Sequence, residues 1–206
     1  MAVPSAGVLR GRVFSKGDTP ASKANVANLI TVVRILLAPV FVGLLLADDR
    51  HFGPLRFVAA GLFVLAIVTD ALDGYLARSR NLVTNVGIIL DPIADKVLIG
   101  GGLIALSLLG ELWWWVTIVI LVREFGITLF RFLALRDRVI PASRGGKAKT
   151  WAQAVAVSLF LVPTWLLVGD WVHWLNYAVM GLALLLTVYS GIDYLVKAWR
   201  LGRRAS

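Results

Sequence analysis

Hydrophobic positions gather in six blocks, at residues 28–47, 55–77, 86–109, 112–133, 150–169 and 174–195. Each is close to the roughly 20 apolar residues that a helix needs to cross the hydrocarbon core of a bilayer. Gly53-Pro54, Gly110-Glu111 and Gly169-Asp170 interrupt the first, third and fifth connections, as glycine and proline punctuate helices. The pattern predicts an all-α, polytopic membrane protein with six transmembrane helices. Before the first block the chain is rich in Gly, Ser, Pro, Lys and Arg, so residues 1–25 are expected to form a flexible or surface-lying arm. One membrane domain follows at 26–206, with no second domain or internal repeat visible. A secretory signal is not expected, because no charged start, apolar run and small-residue cleavage site follow one another.

Composition confirms the class. Of 206 residues, 59% are apolar and 16% charged, where a soluble domain would carry about 25% charged residues. Mean hydropathy is +0.82. The absence of cysteine excludes disulfides, thiolate catalysis and cysteine-based metal sites. A net charge of +9 is also found in nucleic-acid binders, but the placement of the charges here points elsewhere. Arg10, Arg12, Lys16 and Lys23 precede the first block, and Arg78 and Arg80 follow the second. Arg131, Arg136, Arg138, Arg144, Lys147 and Lys149 surround the fourth connection, and Lys197, Arg200, Arg203 and Arg204 fall near the end. The alternate connections offer only Arg50 and Arg56. Basic residues favour the cytoplasmic side, so both termini are expected there. Trp113, Trp114, Trp115, Trp171 and Trp174 cluster at the opposite ends, where aromatic rings suit the interface. Topology and anionic lipid account for the positive charge, and no nucleic-acid partner is expected. His51 and His173 fall on the outer side and are not catalytic candidates.

The chemistry concentrates between the second and third blocks. Asp70 and Asp73 are three residues apart near the end of one, and Asp91 and Asp95 four apart near the start of the next. Both spacings place a pair on one helical face. The connection is short, so the two helices are expected to be antiparallel neighbours with all four carboxylates at one cavity. A carboxylate well inside a span costs about 2.5–3.5 kcal/mol, less toward the interface, and four together repel one another. Arg78, Arg80 and Lys96 are too few to neutralise them and also serve a substrate. Hard divalent cations would resolve the cost, and Mg²⁺ keeps coordination positions open for phosphate oxygens. Gly74 and Gly87 remove side chains where something must approach the backbone, although small residues also help membrane helices pack. Arg78 suits a phosphate or the headgroup region.

These residues carry a recognisable signature. D-A-L-D-G-Y-L-A-R, eight residues, then G-I-I-L-D-P-I-A-D resembles the motif D-x-x-D-G-x-x-A-R-x8-G-x3-D-x3-D of the CDP-alcohol phosphatidyltransferase family. All its fixed positions match: Asp70, Asp73, Gly74, Ala77, Arg78, Gly87, Asp91 and Asp95. The resemblance implies a six-helix membrane enzyme, a homodimer, with a two-metal site for Mg²⁺ or Mn²⁺ open to the cytoplasm of a bacterial cell. Asp70, Asp73 and Asp91 would be metal ligands. Asp95 would be the general base, also touching a metal. Asp70, Gly74, Arg78 and Gly87 would lie at the CDP moiety of CDP-diacylglycerol.

The stretches at 27–34, 91–96, 122–131 and 142–150 resemble the branch of the family that makes phosphatidylglycerophosphate from glycerol 3-phosphate. Such an acceptor needs cations for its phosphate. Arg123 and Arg131, eight apart, fall near one helical face, and Lys147 and Lys149 enter the fifth block. These four form the expected acceptor-phosphate site, and Arg34 is a lesser candidate for either substrate or headgroup. The alternative for Arg123, with Glu124 beside it, is a buried ion pair holding helices together. Inositol phosphate or another alcohol is the alternative acceptor. A cation-coupled transporter is the rival of another class, but it would place acids near the midplane, often between repeated halves.

Overall fold

The computed structural model describes the backbone of residues 21–79, 85–134 and 144–203, and side chains at 30–72, 93–130 and 148–200. Among them it contains helices and no strand: α1 (Ala21–Asp48), α2 (Pro54–Ser79), α3 (Asn85–Leu108), α4 (Trp114–Ala134), α5 (Arg144–Leu161), α6 (Trp165–Val168) and α7 (Val172–Arg203). The all-α class stands. Among the described residues, Ile30–Asp48, Pro54–Leu72 and Val172–Arg200 are long and apolar enough to cross a membrane. α1 already runs at Ala21, inside the stretch assigned to the N-terminal arm, and residues 1–20 lie outside the described residues. The basic residues Arg136 and Arg138 also lie outside them.

The fifth block is not one helix. Hydropathy carries it to residue 169, but α5 ends at Leu161 and the short α6 resumes at Trp165. Pro163 explains the break: it has no N–H to donate and disfavours helical geometry at Val162. In the other direction α5 begins at Arg144, ahead of the apolar run, so Lys147 and Lys149 are helical.

The six long helices form a closed ring in the order α1, α3, α4, α7, α5, α2, and α3 and α5 also meet across the middle. The expected direct pairing of α2 and α3 is not among the extensive contacts of the described residues; α1 packs on both. The buried layer holds many small residues, among them Ala38, Ala59, Ala60, Ala66, Ala105 and Ala156. Large side chains such as Leu36, Val122, Leu167 and Leu185 point outward. Lipid offers no hydrophobic drive to bring helices together, so close approach of small residues takes that role.

α3 shows this most clearly. A Cβ at Gly100 would stand 3.2 Å from Leu121 of α4, at Gly101 3.2 Å from Val42 of α1, and at Gly102 2.8 Å from Val157 of α5. Successive residues turn about 100° around a helix, so three glycines in a row admit three neighbours. The helix that carries Asp91 and Asp95 is thereby gripped on three sides.

The connections at 49–53, 109–113 and 162–171 gather at one end around Arg56, which is fully buried. Gly110 (φ 71°) ends α3 with paired bonds from Gly110 N–H to Ser107 (3.1 Å) and Glu111 N–H to Leu106 (2.9 Å), a Schellman closure that needs a left-handed residue. Glu111 is so delivered to Arg56, whose Nη1 and Nη2 donate to its carboxylate at 2.6 and 2.5 Å. The same guanidinium donates to the Leu161 and Phe160 carbonyls at 3.0 and 2.9 Å, which α5 leaves unsatisfied where it breaks.

Candidate active site

The opposite end carries the acids. Asp70, Asp73, Gly74 and Arg78 lie on the last turns of α2, and Gly87, Asp91 and Asp95 on the first turns of α3. All seven positions are helical, as the spacing reading requires. The side chains of Asp73, Arg78 and Asp91, and any contact at Gly74 and Gly87, lie outside the described residues. Asp70 and Asp95 are the described acids of the set.

Asp70 is bonded to Arg34, which α1 inserts from the side and buries to 2% exposure, while the Asp70 side chain stays 38% exposed. A buried guanidinium needs such a partner, since an unpaired one would suffer the full cost of desolvation. This gives Arg34 a definite place: it ties α1 to the acid-bearing end of α2. The predicted donor set is all carboxylate oxygen, which suits a hard divalent cation, and the exposed part of Asp70 leaves room for one. Among the described residues no group of three or more such donors is gathered, since the side chains of Asp73 and Asp91 lie outside them.

A second polar cluster lies between α4, α5 and α7. Arg123 Nη1 donates to Glu124 Oε1 at 3.0 Å, and Lys149 Nζ lies 2.5 Å from the same oxygen. Arg123 Nη2 donates to Ser190 Oγ at 2.8 Å. Gln153 Nε2 donates to Thr187 Oγ1 at 2.8 Å and reaches Glu124 Oε1 at 3.4 Å. Lys96, beside Asp95 on α3, lies close enough to act electrostatically on both Glu124 and Lys149. The structure therefore brings together two of the four expected acceptor cations, Arg123 and Lys149, and links them through Lys96 to the helix of the acids. Arg131 and Lys147 are on the same helices, α4 and α5, with side chains outside the described residues.

Sequence reading passes over Gln153, Thr187 and Ser190. They are uncharged and sit within apolar runs; the one signal is that Thr187 and Ser190 are three apart, a same-face spacing on α7. It pairs Glu124 with Arg123 alone and does not foresee that Lys149 shares the same oxygen. His51 and His173 lie at the Arg56 end, where His51 Nδ1 meets the Asp48 carbonyl at 2.6 Å and His173 stacks near Trp165.

A model of CDP-alcohol phosphatidyltransferases matches residues 24–189. The chain belongs to this family. Among its relatives, a protein of Mycobacterium tuberculosis (strain H37Rv) named probable phosphatidylglycerophosphate synthase is 46% identical over 199 residues, covering 97% of this chain and 90% of the relative. A Bacillus subtilis (strain 168) protein named CDP-diacylglycerol–glycerol-3-phosphate 3-phosphatidyltransferase is 40% identical over 187 residues, 85% of this chain and 95% of its own length. A Rickettsia felis protein of the same name is 37% identical over 174 residues, 82% and 93% of the two chains. Membership in the CDP-alcohol phosphatidyltransferases makes this chain an enzyme of phosphatidyl transfer. Its long apolar helices make it a membrane protein, and the transporter reading falls away.

Proposed function

We propose that this enzyme transfers the phosphatidyl group of CDP-diacylglycerol to glycerol 3-phosphate, giving phosphatidylglycerophosphate and CMP. The observation that carries this reading is the 40–46% identity, over at least 85% of the chain, to proteins bearing that activity in their names. The cluster of Arg123 and Lys149, with Lys96 of α3 acting on it, supports a phosphorylated acceptor, since it gathers cations near the helix that carries Asp95.

Asp70, Asp73, Asp91 and Asp95 would hold two divalent ions, Mg²⁺ or Mn²⁺. Bound there, they would supply positive charge to the pyrophosphate and the departing CMP. Asp95 accepts the proton of the acceptor's primary hydroxyl as its oxygen bonds to the phosphorus next to diacylglycerol. The bond from that phosphorus to the CMP oxygen breaks in line. A carboxylate serves as base here because the proton is lost only as the new bond forms. Asp70, Gly74, Arg78 and Gly87 place the CDP moiety, and Arg123, Arg131, Lys147 and Lys149 hold the acceptor phosphate. Positioning and charge neutralisation account for most of phosphoryl-transfer catalysis.

The chain crosses a bacterial cytoplasmic membrane six times as a homodimer, with both termini and the acids on the cytoplasmic side. The natural lack of cysteine makes the topology direct to test: single Ser5→Cys and Ser206→Cys variants should react with an impermeant maleimide in inside-out vesicles and not in right-side-out ones.

The activity is tested by incubating purified protein with CDP-diacylglycerol and Mg²⁺, and in separate tubes glycerol 3-phosphate, inositol phosphate, inositol and serine. CMP should appear with glycerol 3-phosphate. CMP with inositol phosphate alone would move the acceptor, and none in any tube would end the reading. Asp95→Asn should cut turnover by about 10²-fold or more while nucleotide binding persists, in line with loss of a general base.

A further inference from the structure

Glu124 is the residue to which both described acceptor cations are bonded, and no role in catalysis or binding has yet been given to it. We infer that Glu124, with Ser190 and Gly191 of α7, positions Arg123 and Lys149 to hold the acceptor's phosphate; this rests on the glycerol 3-phosphate reading.

Two cations buried side by side repel, and each has a long, flexible stem. Here a single carboxylate oxygen receives Arg123 at 3.0 Å and Lys149 at 2.5 Å, so both heads converge on one point. Their three side chains are nearly buried, at 14%, 8% and 16% exposure for Arg123, Lys149 and Glu124. One carboxylate against two cations, with Lys96 nearby, leaves the cluster positive and able to take an anion.

α7 fixes the second coordinate of Arg123. A Cβ at Gly191 would stand 3.1 Å from Arg123 Cγ and 3.2 Å from its Nε, tighter than ordinary contact. The arginine stem therefore lies against the bare backbone of α7, and from there Nη2 reaches Ser190 at 2.8 Å. Ser190 is oriented in turn by donating to the Thr187 carbonyl at 3.1 Å. Arg123 Nε is buried and has no hydrogen-bond partner among the described residues, so a donor remains within the cluster. The side chain is thus held at two points, Glu124 and Ser190, without being saturated.

Charge alone and positioning predict opposite signs. If Glu124 merely neutralised the cations, removing its charge would free them and tighten phosphate binding. If it positions them, Glu124→Gln should weaken binding despite the gain of positive charge. The test uses the full chain in mixed micelles with Mg²⁺, reading KM for each substrate and inhibition by inorganic phosphate.

For Glu124→Gln the KM for glycerol 3-phosphate should rise about 10-fold, with phosphate inhibition weakened in proportion and the CDP-diacylglycerol KM changed less than about 2-fold. Glu124→Asp should recover part of the loss. Gly191→Ala changes no charge and meets only a flexible side chain, so it should leave thermal stability unchanged yet raise the acceptor KM about 3-fold. An acceptor KM that falls or holds in Glu124→Gln, or equal rises for both substrates, would overturn the inference. Should Glu124→Gln fail to fold, Gly191→Ala decides by the same criteria. A wild-type enzyme that releases no CMP with glycerol 3-phosphate would remove both readings, whereas an active wild type with unaltered variants would remove this one alone.

Discussion

Two buried arginines, each paired with a glutamate, stand in different regions of the molecule and are used differently. Arg56 is saturated. All three of its nitrogens donate, to Glu111 and to the carbonyls of Phe160 and Leu161, and its guanidinium carbon lies 5.0 Å from the centre of the Phe52 ring. Arg123 is not: Nε has no partner among the described residues, and its glutamate is shared with Lys149. One site pairs a single cation with a single carboxylate, while the other sets two cations against one carboxylate and keeps a nitrogen without a partner among the described residues. Charge burial of similar chemistry serves as a clasp in the first case and, on the function proposed here, as a receptor in the second. Counting salt bridges would not separate them; counting the donors left over does.

The comparison breaks or holds on where substitutions act. Arg56→Ala should have the largest effect on stability, because it leaves Glu111 without its cation and two α5 carbonyls without a donor. Removing one partner of a buried pair costs about 3–5 kcal/mol. At about 2–4 °C per kcal/mol for a chain of this size, a fall in Tm of ~6–20 °C in detergent is expected. The folded fraction should keep its acceptor KM. A raised acceptor KM would mean that the Arg56 end governs the other, and the division would fail.

Arg123→Ala should do the reverse. Glu124 keeps Lys149 at 2.5 Å, so no charge is orphaned and Tm should move little. The acceptor KM should rise about 30-fold, equivalent to about 2 kcal/mol, with the CDP-diacylglycerol KM nearly unchanged. Lysine at 123 should restore only part of it, because a point charge cannot span Glu124 and Ser190 as the planar guanidinium does. A large fall in Tm with both KM values altered would make Arg123 a second clasp.

Much of the frame is legible in the chain, and the reason is the bilayer. A helix in apolar surroundings must satisfy its own backbone, so hydropathy alone places α2, α3 and α4 within two residues of their observed ends. The eight-position motif is local, and its helical spacing survives. The rest is not local. Pro163 sits in a run that stays apolar on both sides, so hydropathy conceals the break that one proline makes. Arg56 reads as a stray outer charge, because its partners lie 55 and 105 residues away. Arg123 and Glu124 read as an adjacent pair, whereas Ser190 and Thr187 come from α7 and look like helix-packing residues. Gly100, Gly101 and Gly102 pass unremarked within the third block, and only the structure shows the three neighbours that need them. Pairings across the bundle are set by which faces meet, and one sequence does not print that.

The smallest effect belongs to Asp48, and it tests whether the closed end is closed throughout. Asp49, Arg50 and Phe52 all have positive φ, at 42°, 65° and 53°, which costs energy in non-glycine residues. Asp48 holds that turn: its two carboxylate oxygens accept from the Phe52 and Gly53 amides at 2.9 Å each. It is buried, so water cannot replace it. Asp48→Asn keeps one acceptor and turns an amide donor toward the other N–H, so about 1 kcal/mol and ~2–4 °C of Tm should be lost. Phe52 faces both Arg56 and Trp165, so the loosened turn should also make the Trp165 region more accessible to collisional quenching of tryptophan emission. Neither KM should change. A change in acceptor KM as large as that in Tm would show that strain at this turn reaches the cluster around Glu124, and the two ends would then have to be treated as one device.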